Sequence, residues 1–224
     1  RDSFGAALHY FTGSKAHNIA IRRLALDRDL KVNEYGVFQG EQKIAGKNEE
    51  EVYACVGLPY IVPELREDRG ELEAATEGRL PELVQLSDLR GDLHVHTTAS
   101  DGKNTLQELA QAAADMGYAY LGITDHTRNL SMVGGLDERR LQKQMEEIEK
   151  VNARLSGMTL LKGSEVDILK DGSLDLPDSV LHKLDFCICS IHTVFNLSAE
   201  KQTERLLRAM DNPHCSIIGH PTGR

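Results

Sequence analysis

Between residues 119 and 221, apolar runs end repeatedly on a histidine or an acid, and this repetition constrains the fold more than any other feature. Ala119–Thr124 leads to Asp125-His126, and Thr159–Leu161 leads to Gly163-Ser164-Glu165. Leu184–Ile191 leads to His192, and Cys215–Ile218 leads to Gly219-His220-Pro221. The runs are continuous rather than alternating, as in strands buried on both faces. Helix signals separate them. Thr105 and Glu108 make a capping box before the stripe Leu106, Leu109, Ala110 and Ala113, which Gly117 terminates. Asp137 caps a helix with the face Leu141, Met145, Ile148, Asn152 and Leu155. Pro177 opens a short helix, and Ser198 caps another with Thr203, Leu206, Leu207 and Met210 on one side. Such alternation predicts an α/β fold with a mainly parallel sheet or barrel, whose site lies at the carboxyl ends of the strands.

Upstream of these runs, Asp92–His96 reads as the first strand. His94 and His96 project from one face, about 7 Å apart by strand rise. Asp101 lies in a Ser-Asp-Gly turn that can swing its carboxylate back toward them. One such histidine pair is a weak metal signal. Joined by His126, Glu165, His192 and His220 at strand ends, it becomes a candidate metal cluster. Mixed imidazole and carboxylate donors suit Zn²⁺, Mn²⁺ or Fe²⁺ better than Mg²⁺. Glu165, with two oxygens, is the natural bridging ligand. Cations a few ångströms apart can bind a phosphodiester, activate water and stabilise a leaving oxygen. His94, His96, Glu165 and His192 are therefore the candidate catalytic residues. His9, His17, His182 and His214 read as capped or surface side chains.

Composition narrows the function classes. The net charge of −9 argues against indiscriminate nucleic-acid binding. Residues 1–36 nevertheless hold six Lys/Arg against four Asp/Glu, whereas residues 41–90 hold six against twelve. A nucleic-acid contact belongs at the N-terminus. No apolar run is long enough for a membrane span, and no signal-peptide pattern opens the chain. Starting at Arg1, the sequence reads as a fragment. Cys55, Cys187, Cys189 and Cys215 lack CxxC spacing and read as free thiols of a reducing cytosol.

Ser14 can cap a helix over roughly Lys15–Leu30, with Ala20, Ile21, Leu24 and Ala25 as its stripe. Lys31–Val37 alternates as a strand, Gln39-Gly40 can turn, and Gln42–Ala45 can return. Glu49-Glu50-Glu51 opens a second helix, ending near Gly57. Residues 1–63 thus form a small α+β unit with too little core to stand alone. Glu64–Ser87 reads as a charged, extended linker with a short helix at Leu72–Ala75.

Tyr10-Phe11-Thr12-Gly13-Ser14, then Asn18 and Arg22, Asn33-Glu34-Tyr35 and Gly57-Leu58-Pro59-Tyr60, resemble the thumb of family X DNA polymerases, the DNA polymerase beta class. The resemblance implies that Tyr10, Phe11 and Gly13 line a nucleotide pocket, with the two aromatic side chains against the incoming sugar. It further implies that Asn18 reaches a base edge in the minor groove, Arg22 contacts the template strand, and Glu34 and Tyr35 help hold a closed thumb. The palm carboxylates of that family, with their Mg²⁺ or Mn²⁺, would lie upstream of Arg1.

Asp92-Leu-His-Val-His96, Ser100-Asp101-Gly102, Ile123-Thr-Asp-His126, Gly163-Ser-Glu165, Ser190-Ile-His192 and Gly219-His-Pro221 resemble the PHP domain of polymerases and histidinol phosphatases. The resemblance implies a distorted (β/α)7 barrel over residues 91–224, preceded by a thumb at 1–63 and a linker at 64–90. It implies two or three Mn or Zn ions held by His94, His96, Asp101, His126, Glu165, His192 and His220. The closing Asp-x-His motif of the family does not occur before Arg224, so a domain truncated at its C-terminus is expected. Bacterial family X polymerases with this domain order carry a 3′→5′ exonuclease, which the resemblance implies here. The expected partners are gapped or primer–template DNA and a dNTP, bound by a monomer in the bacterial cytoplasm, at the nucleoid. A small-molecule phosphatase and an inactive PHP scaffold are the competing readings. The thumb argues against the first, and the complete ligand set through His220 against the second.

Overall fold

The computed structural model describes residues 1–222, which divide into compact units meeting between Val84 and Gln85. In the first unit, helix α1 spans Phe4–Phe11 and helix α2 spans Lys15–Leu26, with the Ser14 hydroxyl accepting from the His17 amide. The helix predicted to reach Leu30 stops four residues earlier. Asp27 caps it and Asp29 turns the chain at φ +57°, a left-handed conformation that Asp tolerates better than most residues. Strands β1 (Leu30–Asn33), β2 (Gly36–Gln39) and β3 (Gln42–Ala45) form an antiparallel sheet in that order. The single strand expected over Lys31–Val37 is therefore two. Asn33 pairs with Gly36 across a tight turn, and the Asn33 side chain accepts from the Tyr35 amide. Helix α3 (Glu49–Cys55) is capped by Asn48, with three glutamates in its first turn.

The expected connector is largely packed structure. Residues 64–84 belong to the first compact unit, and helix α4 spans Glu71–Thr76. Ala75 is buried in a core with Ile21, Val37, Val52, Tyr53 and Ile61, and Leu65, Leu72 and Leu80 pack against it. The charges of this segment are partly internal. Arg66 is fully buried, donating to Glu49 Oε1 (2.6 Å), Thr12 Oγ1 (2.6 Å) and the Ile61 carbonyl (2.8 Å). Glu71 accepts from His17 Nδ1 at 2.6 Å and from the amides of Asp68 and Arg69. Pairing lets charged residues leave water, so composition alone misread this segment. His9 and His17, expected at the surface or in caps, are buried beside Tyr53, whose hydroxyl meets His17 Nε2 at 2.9 Å.

The second unit alternates strand and helix: β4 (Gly91–Val95), α5 (Leu106–Asp115), β5 (Tyr120–Ile123), α6 (Glu138–Asn152), β6 (Thr159–Lys162), β7 (Glu165–Asp167), α7 (Asp178–Leu181), β8 (Ile188–Ser190), α8 (Ala199–Met210) and β9 (Ile217–Ile218). All pairings are parallel, in the orders β4-β5-β6 and β7-β8-β9. β6 and β7 are successive stretches of one bent strand. Gly163 still donates to the β5 carbonyl of Ile123, while Ser164 already accepts from the β8 amide of Ile188. His126 bridges to Glu165 across the same bend. The described residues of this unit thus build five parallel strand positions, an α/β arrangement as the alternation of strand and helix implies. Its buried strands and flanking helices are α/β, as the continuous apolar runs require.

The expected caps on α5, α6 and α8 are present. Of the stripe expected on α8, Leu206 packs against the core. Arg205 and Ala209 face inward, while Leu207 and Met210 stay exposed. Cys187 and Cys189 are buried free thiols, and burial pushes the Cys187 pKa up to about 12. Among the described residues, no helix is long and apolar enough to cross a membrane.

Candidate metal centre

Five imidazoles surround one carboxylate. Glu165 opens β7 with no solvent exposure. Its Oε2 lies 3.3 Å from His94 Nε2, 3.3 Å from His96 Nε2 and 3.1 Å from His126 Nδ1. Its Oε1 lies 3.2 Å from His192 Nε2 and 2.9 Å from His220 Nε2. Asp101 completes the group, with its oxygens 3.1 Å from His96 Nδ1 and 3.5 Å from His126 Nε2. All seven side chains named from the sequence therefore meet at one place.

The local chain explains each position. His94 lies in β4 and His96 just beyond it, where the β4–β5 register shifts between Asp92 and Val95. The two rings lie 5.2 Å apart between centroids. Loop 97–101 folds back to deliver Asp101. Gly102 makes this possible, because a Cβ there would lie 2.1 Å from the His96 carbonyl oxygen. Asp125, fully buried behind the loop, accepts from the Thr97 amide (2.9 Å), the Thr97 hydroxyl (2.7 Å), the Ser100 hydroxyl (2.5 Å) and Gln144 Nε2 (2.5 Å). Asp167, two residues after Glu165, accepts from His192 Nδ1 at 2.5 Å and from Asn129 Nδ2 at 2.5 Å. This bond leaves His192 Nε2 turned to the centre.

The electrostatics follow from burial and these contacts. Burial lowers the pKa values of His96 and His126, favouring the neutral ring that can donate a lone pair. Burial raises the Glu165 pKa, but His192 and His94 outweigh it and hold that carboxyl far below its usual range. Burial disfavours charge on His192, yet Asp167 and Glu165 outweigh it and push its pKa up to about 9.

The donor set fits divalent cations. Buried His94 Nε2, His96 Nδ1, His126 Nδ1, His192 Nε2 and Glu165 Oε2 make no aligned hydrogen bond despite their closeness. Three overlapping trios can each offer three ligand atoms to one ion: His94–His96–Glu165, His96–Asp101–His126 and His126–Glu165–His192. His220 touches Glu165 but belongs to none of these trios.

Residues 92–218, more than half of the chain, match the family model of the PHP domain. The chain belongs to the PHP family. Residues 7–67 match the model of the DNA polymerase beta thumb. The whole chain is 44% identical to the DNA polymerase/3′-5′ exonuclease PolX of Bacillus subtilis, covering 39% of that protein. Over 58% of this chain, a probable phosphatase of Clostridium botulinum is 38% identical and is covered to 52% of its length. The chain thus spans between about two fifths and half of the relatives it matches. A crystal structure of Leishmania infantum polymerase beta, in a ternary P/T complex, is 27% identical over 30% of this chain and 33% of that one. Its TM-score of 0.27 is too low to bear on the fold.

In the thumb unit, Phe11 is exposed, and Arg22 lies over the ring of half-buried Tyr10 at 5.1 Å. Gly13 turns at φ +81°, and a Cβ there would lie 2.4 Å from Arg66 Cβ. Asn18 donates to the Ser14 carbonyl at 3.3 Å. Sequence reasoning did not single out Asp125, Asp167 or Arg66. Asp167 alone carried a local signal, since it shares a strand face with Glu165 just as His94 and His96 share theirs.

Proposed function

We propose that residues 91–222 carry a Mn²⁺- or Zn²⁺-dependent phosphoesterase centre that removes nucleotides from a DNA 3′ end. The observation that carries this reading is the single buried carboxylate of Glu165 within reach of five histidine nitrogens. His94, His96, Asp101, His126, Glu165, His192 and His220 are the proposed ligands, with Glu165 bridging. When bound, the cations would activate water and neutralise charge on the transferred phosphoryl group. The chain's own residues set the geometry. Asp125 holds the loop that presents Asp101, and Asp167 holds the tautomer and orientation of His192.

The thumb would supply the DNA. Phe11 offers an exposed aromatic face for a sugar or base, Tyr10 and Gly13 shape the same pocket, and Asn18 and Arg22 face the minor groove and template. In this reading the parent protein is a bacterial family X repair polymerase. It would bind gapped DNA and a dNTP as a monomer at the nucleoid, with its nucleotidyl-transfer metals in a palm outside this chain. The similarity to PolX supports that reading. Similarity to probable phosphatases supports a second one, small-molecule phosphate hydrolysis by the same centre.

In the full-length parent, Glu165→Ala should abolish Mn²⁺- or Zn²⁺-dependent nucleotide release from a DNA 3′ end and leave polymerisation intact. Retained nuclease would overturn the assignment. Hydrolysis of p-nitrophenyl phosphate without action on DNA would favour the phosphatase reading. Arg22→Ala should weaken primer–template binding and flatten its salt dependence, since one phosphate contact would be lost. Unchanged binding and insertion would remove Arg22 from the interface.

A further inference from the structure

Arg205 is a buried charged residue of the second unit that the site chemistry leaves unexplained. It sits on the inner face of α8, 2% exposed, and makes no ion pair with the described residues. Its guanidinium instead donates to backbone carbonyls from two different strand-end loops. Nε donates to Leu169 O at 2.8 Å, and Nη2 donates to Ile168 O. Nη1 reaches Thr193 O at 3.0 Å, Val194 O at 3.4 Å and the Gln202 side-chain oxygen at 3.4 Å. The first loop follows Asp167 directly, and the second follows His192. A planar fork with five N–H donors can join two carbonyl edges in this way, which a lysine cannot.

The second loop also carries strain. Val194 has φ +58°, a conformation that a β-branched residue avoids at a cost of roughly 1–3 kcal/mol. Its carbonyl is held from the α8 side by both Arg205 and Gln202 Nε2, the latter at 3.0 Å. Without those donors the loop would relax, and His192 lies two residues upstream of the strained position. His192 must keep one nitrogen on Asp167 and the other on Glu165, so a small movement breaks one of the two.

We propose that Arg205 is a positioning residue, clamping the loops after β7 and β8 so that His192, oriented by Asp167, holds one cation together with Glu165 and His126. This inference rests on the metal-centre reading and adds a residue outside the ligand set.

The test is Mn²⁺ binding to the chain by calorimetry and by electron paramagnetic resonance of free Mn²⁺, well below the melting temperature of each variant. Unfolding of the metal-free forms is followed in parallel. Arg205→Met should lose one bound ion, or bind its weakest ion at least tenfold less tightly. Val194→Gly should bind as wild type, and added to Arg205→Met it should restore part of the loss by removing the strain. Arg205→Lys should show the same loss and serves if the methionine variant does not fold. Wild-type stoichiometry and affinity in a folded Arg205 variant, even with a lowered melting temperature, would overturn the proposal and leave a structural clamp. Absence of Mn²⁺ and Zn²⁺ binding by the wild type would overturn the metal-centre reading itself.

Discussion

At the scale of single residues, His9 and Gly102 have roles their neighbours impose. Burial first, then the nearby Arg66, His17 and Arg22, lower the His9 pKa to about 4. A histidine whose folded pKa lies below its unfolded value contributes stability above about pH 6.5. That contribution is lost as pH falls from 6.5 toward 4, because the unfolded chain takes the proton first. Integrated over the shift, it is about 3 kcal/mol. His9→Gln does not titrate in this range. The gap in unfolding free energy between wild type and this variant should therefore shift against wild type by up to that amount between pH 7.5 and pH 4.5; a constant gap would contradict the assignment. Gly102→Ala acts on the site, since its Cβ would meet the His96 carbonyl oxygen and displace Asp101. Metal affinity measured by competition with a chelating dye should fall at least tenfold, about 1.4 kcal/mol.

Among the elements, the segment after the first sixty-three residues shows how charge is internalised. Arg66 reaches Glu49 on α3 and Thr12 at the end of α1, and its guanidinium lies 5.3 Å from the Tyr53 ring centre. Removing one member of a buried pair leaves the other charge unpaired. Arg66→Met should destabilise the first unit by about 3–5 kcal/mol in urea melts. Adding Glu49→Gln should recover part of that loss, and failure to do so would assign the effect to lost packing. The α5 capping box is a smaller, local contribution. Thr105→Ala should cost about 1 kcal/mol, read as an earlier urea midpoint of the second unit.

For the whole molecule, the compact units predict separate responses to metal. Each buries its own core, and the candidate ligands all belong to the second. Mn²⁺ at a hundred times its dissociation constant should stabilise that unit by about 2.7 kcal/mol. Hydrogen exchange should slow across residues 91–222 and not across residues 1–84. Chelation should reverse the change, and equal slowing in both halves would show that binding is not confined to the PHP unit.

Much of this protein was determined in the order of its residues. Strand–helix alternation, the caps at Thr105, Asp137 and Ser198, and a histidine or acid at each strand end are local patterns with local causes. A parallel fold turns them into one site without further instruction, because its strand ends all point the same way. Tertiary structure alone decided the rest. The burial of Arg66, Glu71 and Arg205 depended on hydrogen-bond partners far along the chain: Thr12 and Glu49 for Arg66, His17 for Glu71, and Leu169 for Arg205. The hairpin at Asn33–Gly36 hid inside the run Lys31–Val37, which only the pairing of Leu30–Asn33 with Gly36–Gln39 divides. The passage from pairing with Ile123 on β5 to pairing with Ile188 on β8 takes place at the bend at Gly163-Ser164, which no periodicity encodes. Ligand type was local information; the charge pairs and the bend required the folded chain.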